Sequence, residues 1–237
     1  MPQDNNWNDN DVRFVLYLDI MGFKDRVAKT SVNELKESLL AFKTKNRKLK
    51  PLLENTTGGS KKEYLKIAQF SDSIVVISKN NTIVDLNRIT KAAVILMQTA
   101  LETGFALRGA IACGNMVFDS DNQVFFGQAL VDAYLLEEQL CFYGVVFHDS
   151  AEKLVVDSLE NNPGDIYFPI KDEPVSTKAG LSSHFHISWY EVKKNLSEGN
   201  IRSNANVWLK KLRESVSGTP RVYLDNTLKI VNRQVEP

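Results

Sequence analysis

Residues Val12 to Leu18, VRFVLYL, form an almost continuously apolar run dense in β-formers, and the run stops at Asp19. A strand written this way is buried on both faces, so it needs a sheet partner on each side and a layer above and below. A carboxylate therefore stands at the end of what must be a central strand.

The elements that follow are legible from their punctuation. Residues 1–11 are polar and rich in Asn and Asp, which predicts a flexible leader. After the turn DIMGFKD, Thr30 or Ser31 can cap a helix, Glu34 completes a capping box with Ser31, and Leu35, Leu39 and Phe42 recur at helical spacing. Residues 43–62 carry many lysines, Pro51 and Gly58-Gly59, and read as a frayed helix end and a solvated loop. Two β-rich runs, Glu63 to Phe70 and Ser73 to Ser78, are separated only by Ser71-Asp72, a tight hairpin with Asp72 at its tip.

A helix from about Val84 to Thr103, ended by Gly104, leads to a strand from Phe105 to Cys113. Met116 to Phe118 and Gln123 to Phe126 then flank a second hairpin, and a helix runs from about Gln128 to Gln139. The order is βαββαβ, which predicts an α+β domain of the ferredoxin-like or palm-like kind, with an antiparallel central sheet flanked by helices. Beyond it, Phe142 to Phe147 reads as a strand, Ser150 caps a helix through Leu159, and Asp165 to Ile170 returns as a strand. The domain is expected over 12–179, with 180–237 as an extension that packs on the domain or supports a dimer.

Composition limits the partners. Lys plus Arg and Asp plus Glu both number 29, so no global field draws the chain to nucleic acid or to an anionic membrane. No stretch approaches a membrane span and the start lacks a signal peptide, so a cytoplasmic location is expected. In that reducing compartment Cys113 and Cys141 are expected to be buried, inert thiols.

In a βαββαβ unit the end of the first strand and the tip of the following hairpin meet at one edge of the sheet. Asp19 and Asp72 should therefore be neighbours, and two converging carboxylates repel unless cations lie between them. Magnesium favours hard oxygen ligands, commonly one or two carboxylates plus substrate phosphates. Taken singly each Asp is an ordinary turn residue; taken together in this strand order they point to metal. The loop Ile20-Met21-Gly22-Phe23-Lys24 adds a close backbone turn ahead of a helix, a local anion site suited to a triphosphate.

With those residues in view, YLDIMGFKD resembles the first metal-binding segment of class III adenylyl and guanylyl cyclases, and QFSDSIVVIS is similar to that family's second metal hairpin. LRGAIACGNMVF and VFFGQALVDAYLLEEQ resemble the strand, hairpin and helix that follow. The resemblance covers roughly residues 12–140. It implies two divalent ions, Mg²⁺ or Mn²⁺, held by Asp19, Asp72 and the Ile20 backbone. It also implies a homodimer with active sites at the subunit interface, and attack of a ribose 3′-hydroxyl on the α-phosphate with release of pyrophosphate.

Departures from the family pattern narrow the substrate. Where purine cyclases carry base-selecting residues this chain has Ala68 and Val124, and where adenylyl cyclases carry an Asn and an Arg on the later helix it has Val131 and Leu135. In its short form and its LRGAI and GQALVDAY segments it looks like the pyrimidine cyclases of the Pycsar antiphage system, which make cUMP or cCMP for a separate effector protein that senses the cyclic nucleotide. UTP is the expected substrate and CTP the alternative. A catalytically silent nucleotide-binding module is the rival reading.

By period two, Tyr64, Lys66 and Ala68 should share a strand face, which makes Tyr64 a candidate base contact beside Arg108. Lys24, Lys171 and Lys178 are candidates for the β- and γ-phosphates, Lys171 because it follows a late strand where the family places a phosphate lysine. Glu137 and Glu138 read as surface residues. His184 and His186 lack the companions of a zinc site, and His148 lacks a nucleophile.

Overall fold

The central strand runs further than its apolar core: β1 spans Asn10–Met21 in the computed structural model, which describes residues 7, 10–57, 60–119, 122, 124–161, 163–167, 169–191, 201–214 and 216–233. Phe14, Val15, Leu16, Leu18 and Ile20 are all buried. β1 is paired antiparallel on one side with β5 (Ser73–Ser78) and on the other with β6 (Ala106–Asp119). Beyond β5 lies β4 (Leu65–Phe70). Beyond β6 come β8 (Val145–Phe147), β10 (Gly180–Ile187) and β9 (Ile170–Thr177), while β7 (Val124–Phe126) also pairs with β6. Among the described residues only the β6–β8 pair in this sheet is parallel. The fold is α+β, a mostly antiparallel sheet flanked by helices.

The two faces are covered unequally. Helix α4 (Ile83–Glu102) lays Leu86, Ile89, Ala93 and Met97 against Phe14, Leu16 and Leu18 in the main core. Thr82 and Asp85 cap it reciprocally, a device worth about 1 kcal/mol. The opposite face carries a smaller cluster of Val15, Val75, Ile77, Met116 and Ala129, under helix α5 (Gln128–Gln139). Successive side chains of a strand alternate between faces, so Val15, Tyr17 and Asp19 all belong to this second, less covered face.

Several elements depart from the sequence reading. Helix α1 (Phe23–Lys29) forms where a turn was expected, because Gly22 takes a left-handed φ of 72° and reverses the chain directly into it. Helix α2 (Val32–Lys45) has the expected Ser31–Glu34 capping box. Residues 43–62 are more structured than a loop. A 3₁₀ turn at Asn46–Leu49, a short helix α3 (Lys50–Leu53) and a two-stranded ribbon of β2 (Glu54–Thr57) and β3 (Ser60–Glu63) fill most of them. ENTT and SKKE carry no apolar alternation, so their pairing left no hydrophobic trace in the sequence.

The expected strand at 165–170 does not form: Pro163–Asp165 make a 3₁₀ turn and β9 starts only at Ile170. The boundary at 179/180 falls inside the β9–β10 hairpin. Helix α6 (Asp149–Asn161) precedes that hairpin; past it, helices α7 (Ile201–Glu214) and α8 (Thr219–Val231) send Leu209, Leu224 and Ile230 into the main core beside Trp189 and Tyr190. The described part of the C-terminal segment thus packs into the main core. At the other end, residues 1–6 and 8–9 of the expected leader lie outside the described residues; Trp7 is buried against Phe118, with the Arg13 guanidinium 4.7 Å from its ring centroid. Among the described residues no helix is long and apolar enough to cross a membrane.

Candidate active site

Strand register brings the two aspartates together. Asp19 lies opposite Ser73 on β5 and opposite Arg108 on β6. The β4–β5 hairpin closes through Ser71, whose φ of 54° meets the demand of a two-residue loop for a left-handed position. Asp72 at the tip is tied down by its own backbone: the Ile20 amide donates to the Asp72 carbonyl at 2.8 Å. Both acids line one cavity of about 430 Å³, together with Ile20, Gly22, Phe23, Lys24 and Arg108.

The electrostatics of this cavity are dominated by acids. Burial pushes the Asp19 carboxyl above its ordinary range, the Asp72 charge pushes it further, and Arg108 and Lys24 only partly offset this. Glu137 of α5, almost fully buried, is pushed up to about 7, again chiefly by burial and against the pull of Arg108. Arg108 is fixed by two donated bonds, Nε to Glu137 Oε1 at 2.5 Å and Nη1 to the Leu140 carbonyl at 2.8 Å. Removing one partner from a buried pair of this kind costs about 3–5 kcal/mol, because it strands the other charge.

Two carboxylates and backbone oxygen suit a hard divalent cation. Among the described residues no group of three or more His, Cys, Asp or Glu forms a complete cage. A pair of carboxylates completed by substrate phosphates is the usual Mg²⁺ arrangement, and a cation between Asp19 and Asp72 would relieve the repulsion that raises Asp19. The donor set fits.

Not every residue singled out in the sequence arrives here. Met21 faces a different cavity on the far side of the loop. Tyr64 does not share a face with Lys66: it falls in the break between β3 and β4, and the Arg88 guanidinium lies 4.0 Å from its ring centroid, whereas Lys66 reaches Trp7 and Phe118 on the other face. The break interrupts the alternation on which the expectation rested. Lys171 is held by Glu191 at 2.9 Å and Glu173 at 3.8 Å. It stands on β9, four strands from β1, or about 19 Å at the usual strand spacing, so within one protomer it does not reach the aspartates. Lys178 is exposed, and Lys24 alone of the three lysines lines the cavity.

Other residues went unread. Tyr17 hydrogen-bonds Ser73 Oγ at 2.7 Å and meets Tyr134 edge-on at 5.4 Å; both tyrosines line the cavity beside Glu137 and Glu138. The signal existed: Tyr17 is two residues from Asp19 on the same strand face, and Tyr134, Glu137 and Glu138 follow helical spacing along α5. His186 is buried with its pKa lowered by desolvation, while His148 bonds Ser150 Oγ at 2.9 Å. Cys113 and Cys141 are free and only half-buried, and burial raises the Cys113 thiol to about 11.

No protein-family model and no curated protein matches the sequence. Solved structures do resemble the fold. The adenylyl cyclase CyaB from P. aeruginosa superposes with a TM-score of 0.50 at 13% identity, covering 79% of this chain and 98% of that one. The guanylate cyclase domain of RhGC from Catenaria anguillulae, in complex with GTP, gives 0.51 at 11% identity over 76% of this chain and 98% of that one. A dimeric guanylyl cyclase domain of the RhoGC fusion protein from Blastocladiella emersonii gives 0.51 at 13% identity over 75% and 94%. With the sheet order, the converging aspartates and these likenesses together, the chain has the fold of class III nucleotidyl cyclase domains.

Proposed function

We propose that the chain is a pyrimidine nucleotide cyclase that converts UTP to 3′,5′-cyclic UMP and pyrophosphate, acting as a homodimer with two Mg²⁺ or Mn²⁺ ions. The observation that carries this reading is the convergence of Asp19 and Asp72 in one cavity, tied by the Ile20–Asp72 backbone bond, in a fold shared with cyclase domains.

In the reaction the ribose 3′-oxygen bonds to the α-phosphorus, the bond from that phosphorus to the β-bridging oxygen breaks, the hydroxyl proton is lost and pyrophosphate leaves. The divalent ions supply charge neutralisation at the attacking and leaving oxygens. Asp19 and Asp72 hold them, with the Ile20 backbone alongside. Gly22 and Phe23 bound the phosphates and Lys24 adds a cation. Arg108 reaches the nucleotide from a position fixed by Glu137. Tyr64 and Lys171, engaged elsewhere in the protomer, take no part from the same chain.

The base is read beside Ala68. That residue lines an apolar cavity of about 490 Å³ with Phe70, Val131 and Tyr134, adjoining the aspartate cavity through Tyr17 and Tyr134. Its small side chain leaves room for a ring, and the absence of a lysine there removes a purine contact. Exposed Phe70, Val131, Tyr134 and Leu135 on this face support a homodimer interface over the site. The cyclic product is sensed by a separate effector protein in bacterial antiphage defence, in the cytoplasm.

One observation favours the silent module: Val131 and Leu135 cannot donate the hydrogen bonds that steady the transition state in adenylyl cyclases. Incubating the purified protein with each of the four NTPs and Mn²⁺, then weighing the products by mass spectrometry, separates the readings. Cyclic UMP is expected, and cyclic CMP identifies the cytidylate alternative. Four unchanged triphosphates, with calorimetric NTP binding intact, would leave the silent module standing and overturn the enzyme.

A further inference from the structure

Behind the metal-facing loop lies a second cavity, of about 360 Å³, that the proposed reaction does not use. One wall is the end of β1 and helix α1, with Gly22, Arg26 and Lys29; the opposite wall is Tyr143 together with Val216, Ser217 and Pro220 from the junction of α7 and α8. Arg26 and Lys29 are three residues apart on one helix and so present their charges side by side.

The condition of Arg26 is the telling feature. Its guanidinium donates to the Gly104 carbonyl and lies 4.4 Å from the centroid of the Phe105 ring. Among the described residues it has no carboxylate partner, and burial alone moves its pKa, downward. A half-buried charge satisfied only by a carbonyl and an aromatic face retains unmet demand for an anion. The Ser217 and Thr30 hydroxyls add hydrogen-bonding capacity at the wall, and Tyr143 and Pro220 give an apolar surface for the remainder of a ligand.

We propose that this cavity binds a small phosphomonoester, its phosphate between Arg26 and Lys29 and its ring-bearing body against Tyr143 and Pro220. The volume lies at the small end of the range of ligand pockets, which suits a mononucleotide-sized molecule. Gly22 lines both this cavity and the one that holds Asp19 and Asp72, so a ligand here bears on the same turn of backbone from behind. The C-terminal helices thereby gain a role that core packing alone does not explain. The inference is independent of any turnover at the aspartates.

The test is isothermal titration calorimetry of the full chain in EDTA, with uridine 5′-monophosphate and inorganic phosphate as the two probes. Without metal, the unneutralised acids of the first cavity repel a phosphate, so saturable binding reports the second. The nucleotide is expected to bind saturably at or below about 1 mM and more tightly than phosphate. Lys29→Glu and Arg26→Gln should each weaken it at least about ten-fold, the loss of one charge-assisted contact. Lys29 is exposed, so its variant decides the matter even where Arg26→Gln fails to fold. Absence of saturable heat, an affinity unchanged by Lys29→Glu, or equal binding of inorganic phosphate overturns the proposal.

Discussion

The Ile20 amide donates to the Asp72 carbonyl at 2.8 Å, joining the end of β1 to the tip of the neighbouring hairpin one residue past Asp19. Because the bond is between backbones, the approach of the two carboxylates is set by sheet geometry and not by side-chain choice. Whatever charge stands at these positions must be tolerated there.

Asp19→Asn should separate stability from activity. In the metal-free protein the Asp19 carboxylate is disfavoured by burial and by Asp72, so a neutral amide of the same shape should raise Tm. For a chain of this length a rise of roughly 2–4 °C corresponds to about 1 kcal/mol. Product formation should fall by more than the roughly 10–100-fold typical of losing an outer-shell partner. Calorimetric melting and the nucleotide assay check the two halves; a lower Tm in EDTA would contradict the repulsion.

Glu137 gives stability a pH dependence. Its folded pKa, about 7, lies above the ordinary 4.5, so folding takes up a proton between these values. The contribution is complete below about 4.5 and is lost as pH rises through about 7. Glu137→Gln stays neutral and can still accept from Arg108. Denaturant titrations in metal-free buffer from pH 5 to about 8 should show the stability of the original protein falling relative to the variant, and parallel curves would refute the shift.

Gly109→Ala should damage the sheet itself. A Cβ at this position would stand 2.3 Å from the Tyr17 carbonyl oxygen and 2.5 Å from Leu18 Cδ2. The first is backbone and cannot move aside, so the cost should reach about 3 kcal/mol or more, a fall in Tm of about 6 °C or more. Gly164→Ala, where nothing lies within 4 Å, is the control and should stay within about 0.5 kcal/mol.

Leu135→Glu tests the proposed dimer face. Leu135 is 51% exposed on α5, so a charge there leaves the protomer intact but opposes burial against a second copy. Sedimentation velocity should find the unaltered chain dimeric and the variant monomeric, with an unchanged circular dichroism spectrum. A variant that sediments as a dimer would remove this face from the interface.

What the sequence determined by itself is the local and the periodic. The apolar run into Asp19, the Ser71-Asp72 loop, the Ser31–Glu34 cap and the bounds of α5 are each written within a dozen residues. Two of those segments were enough to foresee that Asp19 and Asp72 would meet. The tertiary structure decided what depends on distant partners. Tyr64 lost its face because the strand breaks where β3 leaves for the β2 ribbon, and Lys171 was claimed by Glu191 and Glu173. Glu137, read as a surface acid, is buried because β6 places Arg108 under α5. The 180–237 segment supplies a strand of the main sheet and, through Val216, Ser217 and Pro220, a wall of the second cavity. Pattern fixes which face a residue occupies within its own element; only packing of elements far apart in the chain fixes what that face meets.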